Sequence, residues 1–105
     1  MISFQYFEGC PNSTTTLNNL RTAAQILQIP EEQIEMVEVA DQASAESLHF
    51  QGSPSILIDG EDLFTGVAPL GFRYSCRIYP FDGRQPGVIP ESIIVQRLQN
   101  YRSAQ

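Results

Sequence analysis

Residues 50–64, FQGSPSILIDGEDLF, carry the strongest indication of how this chain folds. The tripeptide GSP at 52–54 predicts a break in the regular secondary structure, because proline fixes its own φ angle and cannot donate a backbone hydrogen bond. The apolar run SILI at 55–58 predicts a strand, and the Asp-Gly pair at 59–60 is a favoured two-residue hairpin turn. The stretch therefore predicts a β-hairpin that is entered through a proline and completed by residues 61–64.

The residues before this hairpin predict a strand, a helix and a second strand. Residues 2–7 and 34–39 alternate apolar and polar side chains, as half-buried strands do. Between them, apolar residues recur at helical spacing at Leu17, Leu20, Ala24 and Leu27. We expect Pro11 in the first turn of this helix, where a missing N–H costs nothing, and the helix should end before Pro30.

Two more helices are predicted around the hairpin. Asp41 is a good N-cap for a short helix that runs to Phe50. Pro90 opens a final helix with an apolar stripe of Ile93, Ile94, Leu98 and Tyr101. Residues 65–88 show no regular pattern. The order β-α-β-α-β-β-loop-α predicts an α/β fold, a small sheet flanked by helices, in a single domain of residues 1–105.

Charge and composition narrow the classes of partner. The net charge is −6, and all six basic residues are arginine. Nucleic acid and anionic membranes are therefore poor partners for this chain. No apolar run has the length of a membrane span, and the first residues lack a secretory signal, so we expect a soluble cytoplasmic protein.

Two further groups of polar residues are predicted to be exposed to solvent without a special function. The acidic turn of Asp59, Glu61 and Asp62 is expected to be solvated, since alternate residues on a hairpin diverge too far to share a metal ion. His49 is expected on the surface of the second helix. Neither of these two features therefore predicts a metal site.

Cys10 follows the first predicted strand in the segment FEGCPNS at residues 7–13. The start of a helix offers free N–H groups, here those of Asn12 and Ser13, which favour a thiolate. Thiol pKa values fall to about 3.5–7.5 in such settings. We expect Cys10 to be partly exposed and reactive; the alternative is a cysteine that serves only as a cap or a small core residue.

Cys76, the second of two cysteines, lies in RYSCRIYPF between Arg73 and Arg77. Two arginines beside a thiol would lower its pKa, which favours a functional role. The alternative is a buried thiol on a short strand. Ser13 cannot replace a second thiol, because a hydroxyl does not take part in disulfide exchange. Ser13 could donate a hydrogen bond to the Cys10 thiolate, or merely satisfy the backbone of the first helical turn.

Taken together, these segments resemble the thioredoxin and glutaredoxin superfamily. The first strand runs into a cysteine at a helix start, and residues 50–64 have the layout of helix, X-Pro, strand, turn and strand. The segments GCPN at 9–12 and SCRIY at 75–79 also resemble a group of small thioredoxin-like proteins, including selenoprotein relatives. The usual C-x-x-C motif is C-x-x-S here, from Cys10 to Ser13.

The resemblance implies a thioredoxin-like fold with a central four-stranded mixed sheet flanked by helices. It further implies that Cys10 is the attacking thiol and that Pro54 is a cis-proline facing it. With a cis bond, the backbone of Ser53 would face Cys10 and pair with an extended peptide or a glutathione-like substrate.

The leading hypothesis is a thiol–disulfide oxidoreductase without a bound cofactor, in which Cys10 attacks and Cys76, or glutathione as co-substrate, resolves the mixed disulfide. Its partner would be a protein or small-molecule thiol or disulfide, held by Pro11, Asn12, Ser53, Pro54 and Arg77. One alternative is a thiolate site for soft metals or organomercurials, since SCRIYPF faintly resembles a segment of organomercurial lyase. Another is a binding module that keeps the fold without the chemistry. The oligomeric state cannot be deduced from the sequence.

Overall fold

The computed structural model describes the backbone of residues 1–80 and 87–103, and the side chains of these ranges as far as residue 99. Three helices and six strands are formed there, together with a single 3-10 turn at Glu31–Gln33. In chain order the elements are β1 Ile2–Tyr6, α1 Ser13–Ile26, β2 Ile34–Glu38, α2 Gln42–Leu48, β3 Gln51–Ser53, β4 Ser55–Ile58, β5 Glu61–Asp62, β6 Arg73–Cys76 and α3 Glu91–Ser103.

Four strands form a mixed sheet in the order β2-β1-β4-β5. β1 pairs in parallel with β2, with Ile2 opposite Ile34, and antiparallel with β4, with Phe4 opposite Ile56. β4 and β5 form the antiparallel hairpin predicted from the Asp-Gly turn. The α/β class and the mixed four-stranded sheet are thus confirmed.

The main core lies between this sheet and the helices α1 and α3. Its fully buried side chains come from β1, α1, β4 and α3, and include Phe4, Leu20, Ile56, Ile94 and Leu98. Burial of each such side chain stabilises the fold by roughly 1.5–3 kcal/mol. The predicted stripe of α3 faces this core through Ile94 and Leu98; Tyr101 belongs to the residues whose side chains are not described.

The start of α1 differs from the prediction. The helix begins at Ser13, with Asn12 as its N-cap residue, so Pro11 precedes the helix instead of lying in its first turn. A turn occupies this position instead: the N–H of Cys10 donates to the Phe7 carbonyl at 3.3 Å, and that of Ser13 to the Cys10 carbonyl at 3.4 Å. The predicted cap of α2 is confirmed, because Asp41 accepts a hydrogen bond from the N–H of Ser44 at 2.8 Å.

The stretch predicted to be irregular, residues 65–88, contains a strand. β6 pairs in parallel with β3 and so forms a separate two-stranded sheet. β6 was predicted only in the alternative interpretation of Cys76, as a short strand, and β3 was not predicted, because it is only three residues long and includes Gly52, which strands disfavour. Residues 81–86 of the same stretch lie outside the described residues.

Among the helices of the described ranges, none is both long enough and apolar enough to cross a membrane.

Candidate functional site

Two segments of the chain converge on Ser53, which is completely buried. The N–H of Phe7, three residues before Cys10, donates to Ser53 Oγ at 3.3 Å. On the other side, Ser53 is in register with Cys76, and its carbonyl accepts the N–H of Arg77 at 2.9 Å. Ser53 therefore lies between the two segments that carry the cysteines of this chain.

Cys10 lies in the turn between β1 and α1 and is buried, with 6% of its surface exposed. The expectation that it would be partly exposed is therefore wrong. The turn places Cys10 inside the fold, because the Cys10 N–H donates to the Phe7 carbonyl and the chain then continues into helix α1. Cys10 is a free thiol.

Ser13 contacts the backbone of Cys10. Its hydroxyl donates to the Cys10 carbonyl at 3.1 Å, and its N–H donates to the same carbonyl. The N–H of Ser13 is consequently occupied, and of the two roles predicted for the hydroxyl, the contacts correspond to satisfying the backbone of the first turn. The Ser13 side chain also borders a small cleft of about 130 Å³ with Tyr6 and Leu17.

Pro11 is exposed and Asn12 is half-buried beside the segment that precedes α3. A Cβ atom placed on Gly87 would collide with the side-chain amide of Asn12, so the two segments approach each other closely. The segment before α3 is also fastened to α1, because Asn19 donates to the Ile89 carbonyl at 3.0 Å. Asn12 thus packs within the protein, whereas Pro11 remains accessible.

The Ser53–Pro54 peptide bond is cis, as the resemblance implied, and this prediction is confirmed. Pro54 is buried, and its carbonyl accepts a hydrogen bond from the Tyr79 hydroxyl at 2.5 Å. The proline therefore lies next to the segment that follows β6, as well as next to the Ser53 backbone.

Cys76 is the last residue of β6 and is an exposed free thiol. The interpretation of Cys76 as a buried thiol on a short strand is half right, since the strand exists but the thiol is accessible. The pairing of β3 with β6 is irregular at Cys76. Gln51 pairs with Arg73 and Ser53 with Cys76, so β6 has one more residue than β3 between these two pairs. The extra residue is a β-bulge, which re-aims side chains on the bulged strand.

Arg77 was expected to bind substrate, but its charge is paired inside the protein. Its guanidinium contacts both carboxylate oxygens of Asp62, at 2.5 and 3.1 Å, and donates to Ser55 Oγ at 2.9 Å. It also lies over the Tyr79 ring, 4.7 Å from the ring centroid. Burial acts to lower the pKa of Arg77, but the contacts with Asp62 and Tyr79 together outweigh it and the pKa is raised, so the cation persists.

Asp62, the partner of Arg77, was predicted to lie in a solvated turn, and that prediction is wrong. The residue is 2% exposed and also accepts the N–H groups of Phe64 and Thr65. Its position in β5 opposite Leu57, a residue of the apolar strand β4, is the signal that could have indicated burial.

The structural role of Tyr79 was also not predicted from the sequence. Its side chain is almost fully buried, and burial raises the pKa of its hydroxyl, against the opposing effect of the Arg77 charge. The hydroxyl therefore stays protonated and can donate to the Pro54 carbonyl. Together with Arg77, Tyr79 fastens the chain after Cys76 to the main sheet.

A second, smaller cluster holds β6 from its other side. Val39, Ala45 and Phe50 form its buried centre. The Tyr74 ring packs edge-on against Phe7, with centroids 5.7 Å apart, and its hydroxyl donates to the Val39 carbonyl at 3.2 Å. β6 is thus anchored both before and after Cys76.

His49 is exposed at the left-handed C-cap of α2, with φ of 53°, and its Nδ1 lies 3.3 Å from the Gly71 carbonyl oxygen. Its predicted surface position is confirmed, although it ends the helix rather than lying within it. Within residues 1–80 and 87–99, no three side chains of histidine, cysteine, aspartate or glutamate group together as metal ligands.

Comparison with known proteins found no matching family model, no matching curated protein and no matching solved structure. The function of the chain has to be inferred from the residues of the site itself.

Proposed function

We propose that this protein is a thiol–disulfide oxidoreductase with a thioredoxin-like fold, in which Cys10 is the attacking thiol and Cys76 the resolving thiol. The main support for this proposal is that both cysteine-bearing segments contact Ser53. Its hydroxyl accepts a hydrogen bond from the N–H of Phe7, which precedes the turn of Cys10, and its backbone is in register with Cys76. Two segments that are far apart in sequence, each carrying a cysteine, thereby contact a single buried residue.

The arrangement of the sheet supports the fold assignment. A strand that runs into the Cys10 turn lies between a parallel neighbour, β2, and an antiparallel neighbour, β4, which follows Pro54. A strand–helix–strand unit followed by an antiparallel hairpin is the layout that the resemblance implied.

The proposed reaction is two successive thiol–disulfide exchanges. The Cys10 thiolate attacks one sulfur of a substrate disulfide, forms a mixed disulfide and releases one substrate thiolate. The Cys76 thiolate then attacks the Cys10 sulfur, which releases the second substrate thiolate and leaves a Cys10–Cys76 disulfide. Two electrons have passed to the substrate, and an external thiol resets the protein.

We assign Ser53 and Arg77 to positioning Cys76 rather than to binding substrate. The Ser53 carbonyl already accepts the N–H of Arg77, so β6 occupies the position where the resemblance expected a substrate strand. The Arg77 charge is likewise paired with Asp62. A substrate would therefore reach Cys10 from the side of Pro11, which is exposed.

A disulfide-exchange assay on single-cysteine variants tests this function. Cys10→Ser should abolish turnover, whereas Cys76→Ser should accumulate mixed disulfides on Cys10 that only an external thiol releases. Ser13→Ala serves as the control, since its hydroxyl donates to the Cys10 carbonyl rather than to the thiol, and it should retain turnover. Full turnover by Cys10→Ser would overturn the proposal and favour a binding module.

A further inference from the structure

We infer that the cleft beside Cys76 binds a carboxylate-bearing, low-molecular-weight thiol or its disulfide and exchanges it onto Cys76. The cleft has a volume of about 330 Å³ and is lined by Gln51, Arg73, Cys76, Arg77 and Ile78. That size is at the lower end for small-molecule sites and suits a compact ligand. The inference deepens the proposed function, on which it rests for its role in turnover, by naming the thiol that resets the protein.

The bulge in β6 makes this cleft possible. Arg73 and Cys76 are three positions apart, so in a regular strand their side chains would point to opposite faces. The extra residue opposite Gln51 and Ser53 shifts the alternation, and both side chains border the same cleft.

Arg73 supplies a positive charge that is not engaged by any described residue. Its guanidinium has no hydrogen bond or ion pair within residues 1–80 and 87–99, whereas Arg21 is paired with Glu31 and Arg77 with Asp62. The chain as a whole carries a net charge of −6, so it repels anions in general. An exposed arginine beside an exposed thiol is therefore a local site of attraction for an anionic thiol or disulfide.

The other polar group of the cleft is already engaged. The Gln51 side-chain amide donates to the carbonyls of His49, Leu70 and Gly71, which fixes the rim of the cleft. Ile78 is 75% exposed and offers an apolar surface for the carbon skeleton of a ligand. The cleft thus combines a cation, a thiol and an apolar wall.

The exchange is balanced in either direction. In the reduced protein, the Cys76 thiolate attacks the small disulfide RS–SR, forms Cys76–S–S–R and releases RS⁻. In the oxidised protein, RS⁻ attacks the Cys76 sulfur of the Cys10–Cys76 disulfide, forms the same mixed disulfide and releases the Cys10 thiolate. A second RS⁻ then releases Cys76 as a thiolate and leaves RS–SR.

The test uses the Cys10→Ser protein, so that only Cys76 reacts and the outcome does not depend on the proposed turnover. Rates are measured with dianionic dithiobis(nitrobenzoate) and with neutral dithiodipyridine, from the absorbance of the released thiol. Adding Arg73→Gln should slow the reaction of the dianionic probe about fivefold at low salt. This is the effect expected when one unit charge a few ångströms from the probe is removed. The neutral probe should be slowed less, because the charge of Arg73 attracts only the dianionic probe itself, and Arg73→Lys should restore both rates.

Arg21→Gln is the matched control. It also removes one positive charge, but from the exposed ion pair of Arg21 with Glu31, which is far from Cys76 in the sequence. It should change neither rate. Added salt should reduce the difference between the Cys10→Ser protein and its Arg73→Gln derivative, since salt screens exposed charges. Equal slowing of both probes, or no slowing of the dianionic probe, would overturn the inference while leaving the role of Cys10 intact.

Discussion

The two cysteine segments of this molecule are held in opposite ways. Cys10 sits in a turn between β1 and α1 and is 6% exposed, while Cys76 ends a short strand and is exposed. The first is shielded by the main fold; the second is presented to solvent by a strand that is anchored through Tyr74 and Arg77. Small reagents should consequently meet Cys76 first, and the position of Cys76 depends on contacts that can be removed one at a time.

The largest effect is expected from Asp62→Ala, which removes the anchor after Cys76. The variant leaves the Arg77 guanidinium, whose side chain is 11% exposed, without its counter-charge. Breaking a buried ion pair in this way costs about 3–5 kcal/mol, which urea denaturation would measure. Glu61→Ala, at an exposed neighbouring carboxylate, should stay within about 0.5 kcal/mol of the parent protein. Equal stability of both variants would mean that the pair does not anchor β6.

Gly52→Ala should separate β6 from β3. Gly52 has φ of +107°, and a Cβ there would lie 2.9 Å from Arg77 Cβ and 3.0 Å from the Ser75 carbonyl oxygen. We expect a loss of about 3 kcal/mol, the upper end for a strained backbone position. Hydrogen exchange at the Arg77 N–H, which donates to Ser53, should also become faster.

Gly60→Ala is the control for this variant. Gly60 also has positive φ, +87°, but a Cβ there would have no neighbour within 4 Å. It should therefore cost only the backbone strain, about 1 kcal/mol. A Gly60→Ala loss as large as that of Gly52→Ala would contradict the close packing of β6 on β3.

Alanine substitution of each cysteine should affect stability differently, because one thiol is buried and the other exposed. Cys10→Ala should lower the free energy of unfolding by about 1 kcal/mol, because it removes a buried side-chain atom. Cys76→Ala should change it by less than about 0.5 kcal/mol, as exposed positions usually do. Thermal or urea unfolding under reducing conditions would show the order, and a reversed order would place Cys76 in the core instead.

The smallest effect concerns Asp41, the cap of α2, whose helix borders the second cluster. The hydrogen bond from the Ser44 N–H lowers the pKa of Asp41 below its ordinary value of 3.8. A carboxyl whose pKa is lower in the folded state stabilises the fold above the unfolded value and loses that contribution as pH falls through the folded value. The stability difference between the parent protein and Asp41→Ala should therefore be larger at neutral pH than in strong acid.

Local sequence signals were sufficient for the elements that depend on local chemistry. The hairpin at Asp59-Gly60, the cap at Asp41 and the alternation of β1 and β2 were predicted, since turn type, capping and periodicity are properties of neighbouring residues. The Ser53–Pro54 cis bond was predicted only through the resemblance.

The parts of the site that depend on distant residues were not predictable in this way. The pairing of Arg77 with Asp62 and the hydrogen bond from Tyr79 to Pro54 join residues on separate segments. β3 and β6 are only three and four residues long, and each is stabilised by pairing with the other. The burial of Cys10 follows from how the turn packs, which residue spacing does not reveal.

Cys10 and Cys76 are proposed to act as a redox pair, and mild oxidation of the reduced protein tests this pairing. Peptide mapping by mass spectrometry should find one intramolecular disulfide that links Cys10 to Cys76, which requires their Cα atoms to approach within about 4.4–6.8 Å. The bond should be absent from Cys76→Ser, which should form mixed disulfides or dimers through Cys10 instead. Two thiols that remain free, or dimers formed by the parent protein through Cys76 alone, would contradict the pairing.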